Sequence, residues 1–156
     1  MAPGLSIRDN LISKSYRKAS VGGGFMLDLG GARRHAQELA ERFDIRGADL
    51  DAPVASLSGG NLQKVVLARE ISANPRLLVA AQPTRGLDLG AAESTRRLLL
   101  EQRDAGRAVL VISEELDELL ARSDRIAVIY EGRITGIFPA HRADEEEIGL
   151  LMAGRG

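Results

Sequence analysis

"LLVAAQPTRGLDLGA", Leu77 to Ala91, decides the fold. It opens with five apolar residues, Leu77 to Ala81, a run with the length and composition of a buried strand. The run breaks at Gln82-Pro83-Thr84 and reaches Asp88, which predicts the N-cap of a helix that stops near Gly106. A second apolar run follows, "AVLVIS" from Ala108 to Ser113. Strand, helix and strand in that order imply a right-handed crossover and parallel pairing.

Downstream, "EELDELLARS" reads as a short helix, and "RIAVIY" and "RITGIF" as two strands joined by the tight turn Glu131-Gly132. That hairpin is expected to add an antiparallel edge to the parallel sheet. "ADEEEIGLLMAG" reads as a last helix whose acids, Asp144 to Glu147, sit at its positive end as a solvated start. Upstream, "LSGGNLQKVVLAREIS" is a glycine turn running into a helix, with Leu62, Val65, Val66 and the stem of Arg69 facing inward. Before it the chain reads as helix, loop, helix. Ser6 and Asp9 form a capping box for the first helix. "SVGGGFMLDLGG", Ser20 to Gly31, is a glycine-rich loop, and Ala36, Leu39, Ala40 and Phe43 line one face of the helix after it. "DIRGADLDAPVAS" reads as a loop.

Composition narrows the function. A formal net charge of -1 argues against a blanket basic surface for nucleic acid, and 3% aromatic residues argues against a base-stacking surface. The absence of cysteine removes disulfides and thiolate metal sites. No apolar run approaches the length that spans a bilayer. His35 and His141 are isolated and predict no metal site, and Arg96-Arg97 reads as a solvent-facing helix stripe.

The chemistry concentrates in "LSGGN", Leu57 to Asn61. Glycines just before a helix leave backbone N–H groups bare at its positive end, which suits a phosphate. Ser58 adds a hydroxyl, Asn61 an amide, and Gly59 and Gly60 permit close approach. A plain N-cap accounts for the same residues taken alone.

The ordered set is far more specific. "LSGGN", a helix, "LLVAAQ", "GLD" (Gly86 to Asp88), "VISEE" and "RIAVIYEGRITG" together resemble the ATP-binding-cassette ATPases over nearly the whole chain. They match the family's signature motif, Walker B strand, D-loop, switch and closing hairpin in turn. "NLQKVVLAREI" and "QPTRGLDLGA" are similar to the second cassette of bacterial simple-sugar and nucleoside importers. The implied fold is α/β, a partial P-loop NTPase core with a mainly parallel sheet and terminal hairpin, preceded by a helical subdomain. The implied division is a helical subdomain over 1–54, the second half of the ATPase core over 55–138, and a C-terminal helix and tail over 139–156.

The departures matter as much. No G-x-x-x-x-G-K-[ST] occurs, so the chain reads as the C-terminal part of a cassette without its phosphate-cradling half. Ala81 stands at the family's magnesium-binding aspartate, Gln82 at the glutamate general base, and Glu114 at the switch histidine. The resemblance therefore implies a degenerate site of its own at Gln82 and Glu114. It also implies a near-intact signature, Ser58 to Asn61, offered with Asp88 to ATP held by a partner cassette. ATP and Mg²⁺ are expected in the full assembly and neither on the chain alone. The implied partners are a second cassette, membrane permease subunits and, indirectly, a solute-binding protein, with no nucleic acid. The implied place is the cytoplasmic face of the bacterial inner membrane, held through the permease, with the separate chain soluble. Two rival classes share part of the pattern: a soluble cassette protein acting on ribosomes or DNA, and a non-catalytic permease-docking domain.

Overall fold

The computed structural model describes residues 1–15, 28–46 and 49–155. They form two compact units, Met1–Ile112 and Ser113–Gly156. The boundary expected near Val54 falls inside the first unit, where the residues on either side of it share one core.

The first unit begins with α1 (Ile7–Ile12). Ser6 Oγ accepts from the Asp9 N–H at 3.0 Å, and the Ser6 hydroxyl and N–H hold the Asp9 carboxyl below its ordinary range, so the expected capping box is present. The segment read as a loop around residue 50 is tied to this helix. The N–H groups of Ile7 and Arg8 donate to Ala52 and Leu50 carbonyls at 3.0 and 2.9 Å, and Val54 N–H donates back to Leu5. Such long-range pairing leaves no local periodicity to read.

Helix α2 (Leu29–Arg42) starts three residues earlier than "ARRH" suggests. Asp28 accepts from the Gly30 N–H at 3.0 Å and starts the helix there, so Gly30 and Gly31 lie in its first turn and not in a loop. The rest of the predicted glycine loop, residues 20–27, lies outside the described residues. Ala36, Leu39, Ala40 and Phe43 are buried as expected.

Helix α3 (Gly59–Ser72) buries Val65, Leu67, Ala68 and Ile71, whereas Leu62 and Val66 remain partly exposed. Strand β1 (Leu77–Ala81), helix α4 (Leu89–Asp104) and strand β2 (Ala108–Ile112) complete the unit. β1 and β2 are parallel, Leu77 opposite Ala108 and Ala81 opposite Ile112. Asp88 caps α4 by accepting from the Ala91 N–H at 2.9 Å, and Gly106 turns the chain after it with φ +79°. The core gathers Ile7 and Leu11 of α1, the inner faces of α2 and α3, Leu78 of β1 and Leu99 of α4.

The second unit holds α5 (Leu116–Arg122), the hairpin β3 (Arg125–Tyr130) and β4 (Arg133–Pro139), and α6 (Glu145–Met152). Glu131 and Gly132 both take positive φ, 46° and 78°, the signature of a two-residue hairpin turn whose twist matches the strands. Ile126, Val128, Ala140 and Ile148 form its core. The hairpin is a two-stranded sheet of its own, not an antiparallel edge of the β1–β2 pair.

Candidate functional site

Four of the candidate residues, Ser58, Gly59, Gly60 and Asn61, gather at the N-terminus of α3. Ser58 is extended, φ -61° and ψ 156°, and its Oγ accepts from the Asn61 N–H at 3.5 Å. Asn61 Nδ2 donates to the same oxygen at 3.2 Å. An N-cap in this geometry leaves the first N–H groups of the helix, those of Gly59 and Gly60, without an intrahelical acceptor. A Cβ built on Gly59 meets nothing within 4 Å, so its outer side is open. A Cβ on Gly60 would stand 2.9 Å from the Ala91 methyl. Gly60 therefore lets α3 rest against the first turn of α4, the helix that Asp88 caps.

Asn61 is also anchored from behind. Its Oδ1 accepts from the Arg46 backbone N–H at 3.0 Å. The loop carrying Arg46 is held by Asp44, which sits at φ +49°. Lys64 Nζ donates to the Asp44 carbonyl at 2.7 Å and to its carboxylate at 3.0 Å, and Arg46 Nε donates to the same carboxylate at 2.8 Å. The hydrogen bonds from Arg46 and then Lys64 hold the Asp44 carboxyl below its ordinary value. Sequence reasoning missed Asp44, Arg46 and Lys64. The position of Lys64, three residues after Asn61 on one helix, was the available signal.

The end of β1 is of a different character. Ala81 is exposed and offers a methyl group. Gln82 takes φ +48°, a left-handed conformation that side-chain-bearing residues seldom adopt, and its N–H donates to the Ile112 carbonyl at 2.7 Å. Parallel pairing is thus carried one residue past the strand before the chain turns. Glu114 lies in the second unit, exposed, in the bend before α5. Among the described residues no group of three or more His, Cys, Asp or Glu is placed to hold a metal ion. Magnesium asks for oxygen ligands, commonly carboxylates. The Ala81 methyl supplies none. No described helix is long and apolar enough to cross a membrane.

No family model matches the chain. Individual proteins do. The chain is 51% identical over 154 residues, 97% of its length, to the glucose import ATP-binding protein TsgD13 of Haloferax volcanii, and spans 28% of that protein. It is 48% identical over 150 residues to the nucleoside import ATP-binding protein NupA of Lactococcus lactis, covering 96% of the chain and 30% of the relative. It is 40% identical over 152 residues to the ribose import ATP-binding protein RbsA 2 of Rhizobium meliloti, covering 97% and 29%. The chain thus spans less than a third of the length of these relatives. Among solved structures, the ATP-binding subunit of a transporter superposes with TM-score 0.74 at 18% identity, covering 98% of this chain and 64% of that one. A dimeric cassette bound to ADP and phosphate superposes with TM-score 0.71 at 22% identity, covering 90% and 59%. The likenesses to solved structures establish the fold, which is part of a P-loop NTPase cassette. With close sequence relatives that are all import ATP-binding proteins, the chain belongs to the ATP-binding-cassette family.

Proposed function

We propose that this chain serves in the ATP-binding subunit of a sugar or nucleoside importer, and that its working element is the start of α3. Ser58, Gly59 and Gly60 would close over the terminal phosphate of ATP held by a second cassette. The hydroxyl of Ser58 and the N–H groups of Gly59 and Gly60 are donors of the kind that stabilise a transferring phosphoryl group by position and charge. Asp88, capping the neighbouring helix, would lie at the same cassette–cassette interface. The observation that carries this reading is the contrast between two ends. The α3 start keeps its hydroxyl, its glycines and an open outer face at Gly59. The β1 end presents a methyl at Ala81 and an amide at Gln82, and an amide cannot take a proton from water near neutral pH. This half would therefore complete another site while its own, with the amide of Gln82 where a general base is needed, turns over poorly.

The names of the relatives support an importer and leave sugars and nucleosides as the solute classes. In this reading the full assembly uses ATP and Mg²⁺, with the metal held by residues other than Ala81. It works with permease subunits and a solute-binding protein, on the cytoplasmic face of the membrane.

The test is steady-state ATP hydrolysis by the complete importer carrying Ser58→Arg or Gln82→Ala. Ser58→Arg should cost about a hundredfold or more, as loss of a preorganised donor does elsewhere, because its bulk also blocks close approach. Gln82→Ala should change turnover little. The reverse ranking would overturn the assignment.

A further inference from the structure

We propose that Asn61 is a positioning residue that fixes the polarity of the Ser58 hydroxyl, forcing it to donate outward; this rests on the reading of Ser58 given above. A side-chain amide can present either its oxygen or its nitrogen to a neighbour, so its orientation must be set by a partner that has no choice. The Arg46 backbone N–H is such a partner, because it can only donate. It donates to Asn61 Oδ1 at 3.0 Å. The amide nitrogen of Asn61 is thereby turned to Ser58, where it donates to Oγ at 3.2 Å. The Asn61 backbone N–H donates to the same oxygen at 3.5 Å. A hydroxyl oxygen has two lone pairs. Both are occupied by N–H groups of Asn61, so the Ser58 hydrogen is left to point away from the helix as a donor.

The anchor itself is braced. Asp44 is locked by Lys64 from α3 and by the guanidinium of Arg46, so the loop presenting the Arg46 N–H is fixed to the helix that carries Asn61. Ser58, Asn61, Arg46, Asp44 and Lys64 form one chain of donors and acceptors that ends at the Ser58 hydroxyl. A free serine hydroxyl samples donor and acceptor orientations. One committed to donation before its ligand arrives needs no reorganisation when it meets an anionic oxygen. A phosphate oxygen is the acceptor chemistry this polarity selects.

Asn61→Asp separates this role from a merely structural one, since it is nearly isosteric and exchanges the donating amide nitrogen for an accepting, charged oxygen. One carboxylate oxygen can still accept from Arg46. The other can no longer donate to Ser58 Oγ and accepts from it, turning the hydroxyl inward. The added negative charge in the first turn of α3 suits the helix dipole, so the melting temperature of the 156-residue chain should hold or rise. ATP turnover of the complete importer carrying Asn61→Asp should nonetheless fall to the level of Ser58→Ala. The double variant Ser58→Ala/Asn61→Asp should be no slower than Ser58→Ala alone, as expected when one residue acts through the other. A double variant at least about tenfold slower than Ser58→Ala would mean the carboxylate acts on phosphate directly, and would overturn the inference. So would a fall in melting temperature alongside lost turnover.

A second measurement does not depend on ATP. In the NMR spectrum of the 156-residue chain, one Asn61 side-chain amide proton should be protected from exchange, and Ser58→Ala should abolish that protection. An Asn61 amide that exchanges freely in the unsubstituted chain would overturn the positioning role and leave the proposed function standing. If Ser58→Ala left turnover unchanged although the amide is protected in the unsubstituted chain and exposed in the variant, the proposed function itself would fail.

Discussion

Gly60 and Ala91 lie so close that a methyl on Gly60 would stand 2.9 Å from the methyl of Ala91. Real Cβ atoms do not approach one another to that distance, so Gly60→Ala must push α3 from the first turn of α4. The cost of such overpacking, about 1–3 kcal/mol, exceeds the fraction of a kcal/mol that alanine gains over glycine near a helix start. Gly60→Ala should therefore lower stability in chemical denaturation. Gly59→Ala, which meets nothing within 4 Å, should be neutral or slightly stabilising. Ala91→Gly should restore the Gly60→Ala variant, since it removes the methyl on the other side. No rescue would mean that the two helices are not held apart by this contact.

Gln82 holds φ +48°, and a side chain in the left-handed region costs about 1–2 kcal/mol relative to the right-handed one. Glycine carries no such penalty, although it loses more entropy on folding. Gln82→Gly keeps the N–H that donates to Ile112 and should raise the denaturation midpoint, or at least not lower it. A clear loss of stability would show that the Gln82 side chain itself holds the turn.

The outline of the first unit was legible in the sequence because its signals are local. Ser6 with Asp9, Asp88 and Gly106 are caps and stops that act within one turn, and each does what its position predicts. The start of α2 was misread because Gly30 and Gly31 resemble loop residues. Only the carboxylate of Asp28, two residues before Gly30, shows that the helix has already begun. The strand runs were found, yet their burial was not. Apolar composition says that a strand can be buried on both faces, but which face is covered depends on elements distant in sequence. The Arg46–Asn61 bond and the Lys64–Asp44 brace join residues 15 and 20 apart through an aspartate at positive φ. No period or motif announces such a tie.

The ion pair of Lys14, in the turn after α1, with Glu70 ties that turn to α3, and its pH dependence follows from Glu70. Burial alone would raise that carboxyl. The hydrogen bonds from Lys14 and Arg69 together outweigh burial and hold it below its ordinary value of 4.5. A carboxyl depressed in the folded state binds its proton more weakly there than in the unfolded chain. Its contribution is thus complete above about 4.5 and is lost as pH falls through the lower folded value. Unfolding free energy measured against pH should drop more steeply on the acid side for the unsubstituted chain than for Glu70→Gln. Parallel curves would mean that the pair contributes nothing on folding.

The register of β1 and β2 sets Leu77 and Val79 on the same face as Leu110 and Ile112, with Val79 directly opposite Leu110. These four side chains are 55%, 55%, 51% and 50% exposed, whereas Leu78, on the other face, is 6% exposed. Four half-exposed large aliphatics on a two-stranded sheet make a continuous apolar patch, and a parallel pair is ordinarily covered on both sides. Each of the two strands has its other edge outside the pair, so further strand pairing adds to the tendency. The 156-residue chain should therefore bind a hydrophobic dye and self-associate as its concentration rises in sedimentation. Val79→Lys and Leu110→Lys should each weaken both effects while leaving the helical circular-dichroism signal intact, because their side chains already reach water. Leu78→Lys should instead unfold the first unit, since it places a charge in the core. A chain that stays monomeric at every concentration and binds no dye would show that this face is covered in solution. Lysine variants that associate as strongly as the unsubstituted chain would place the contact elsewhere.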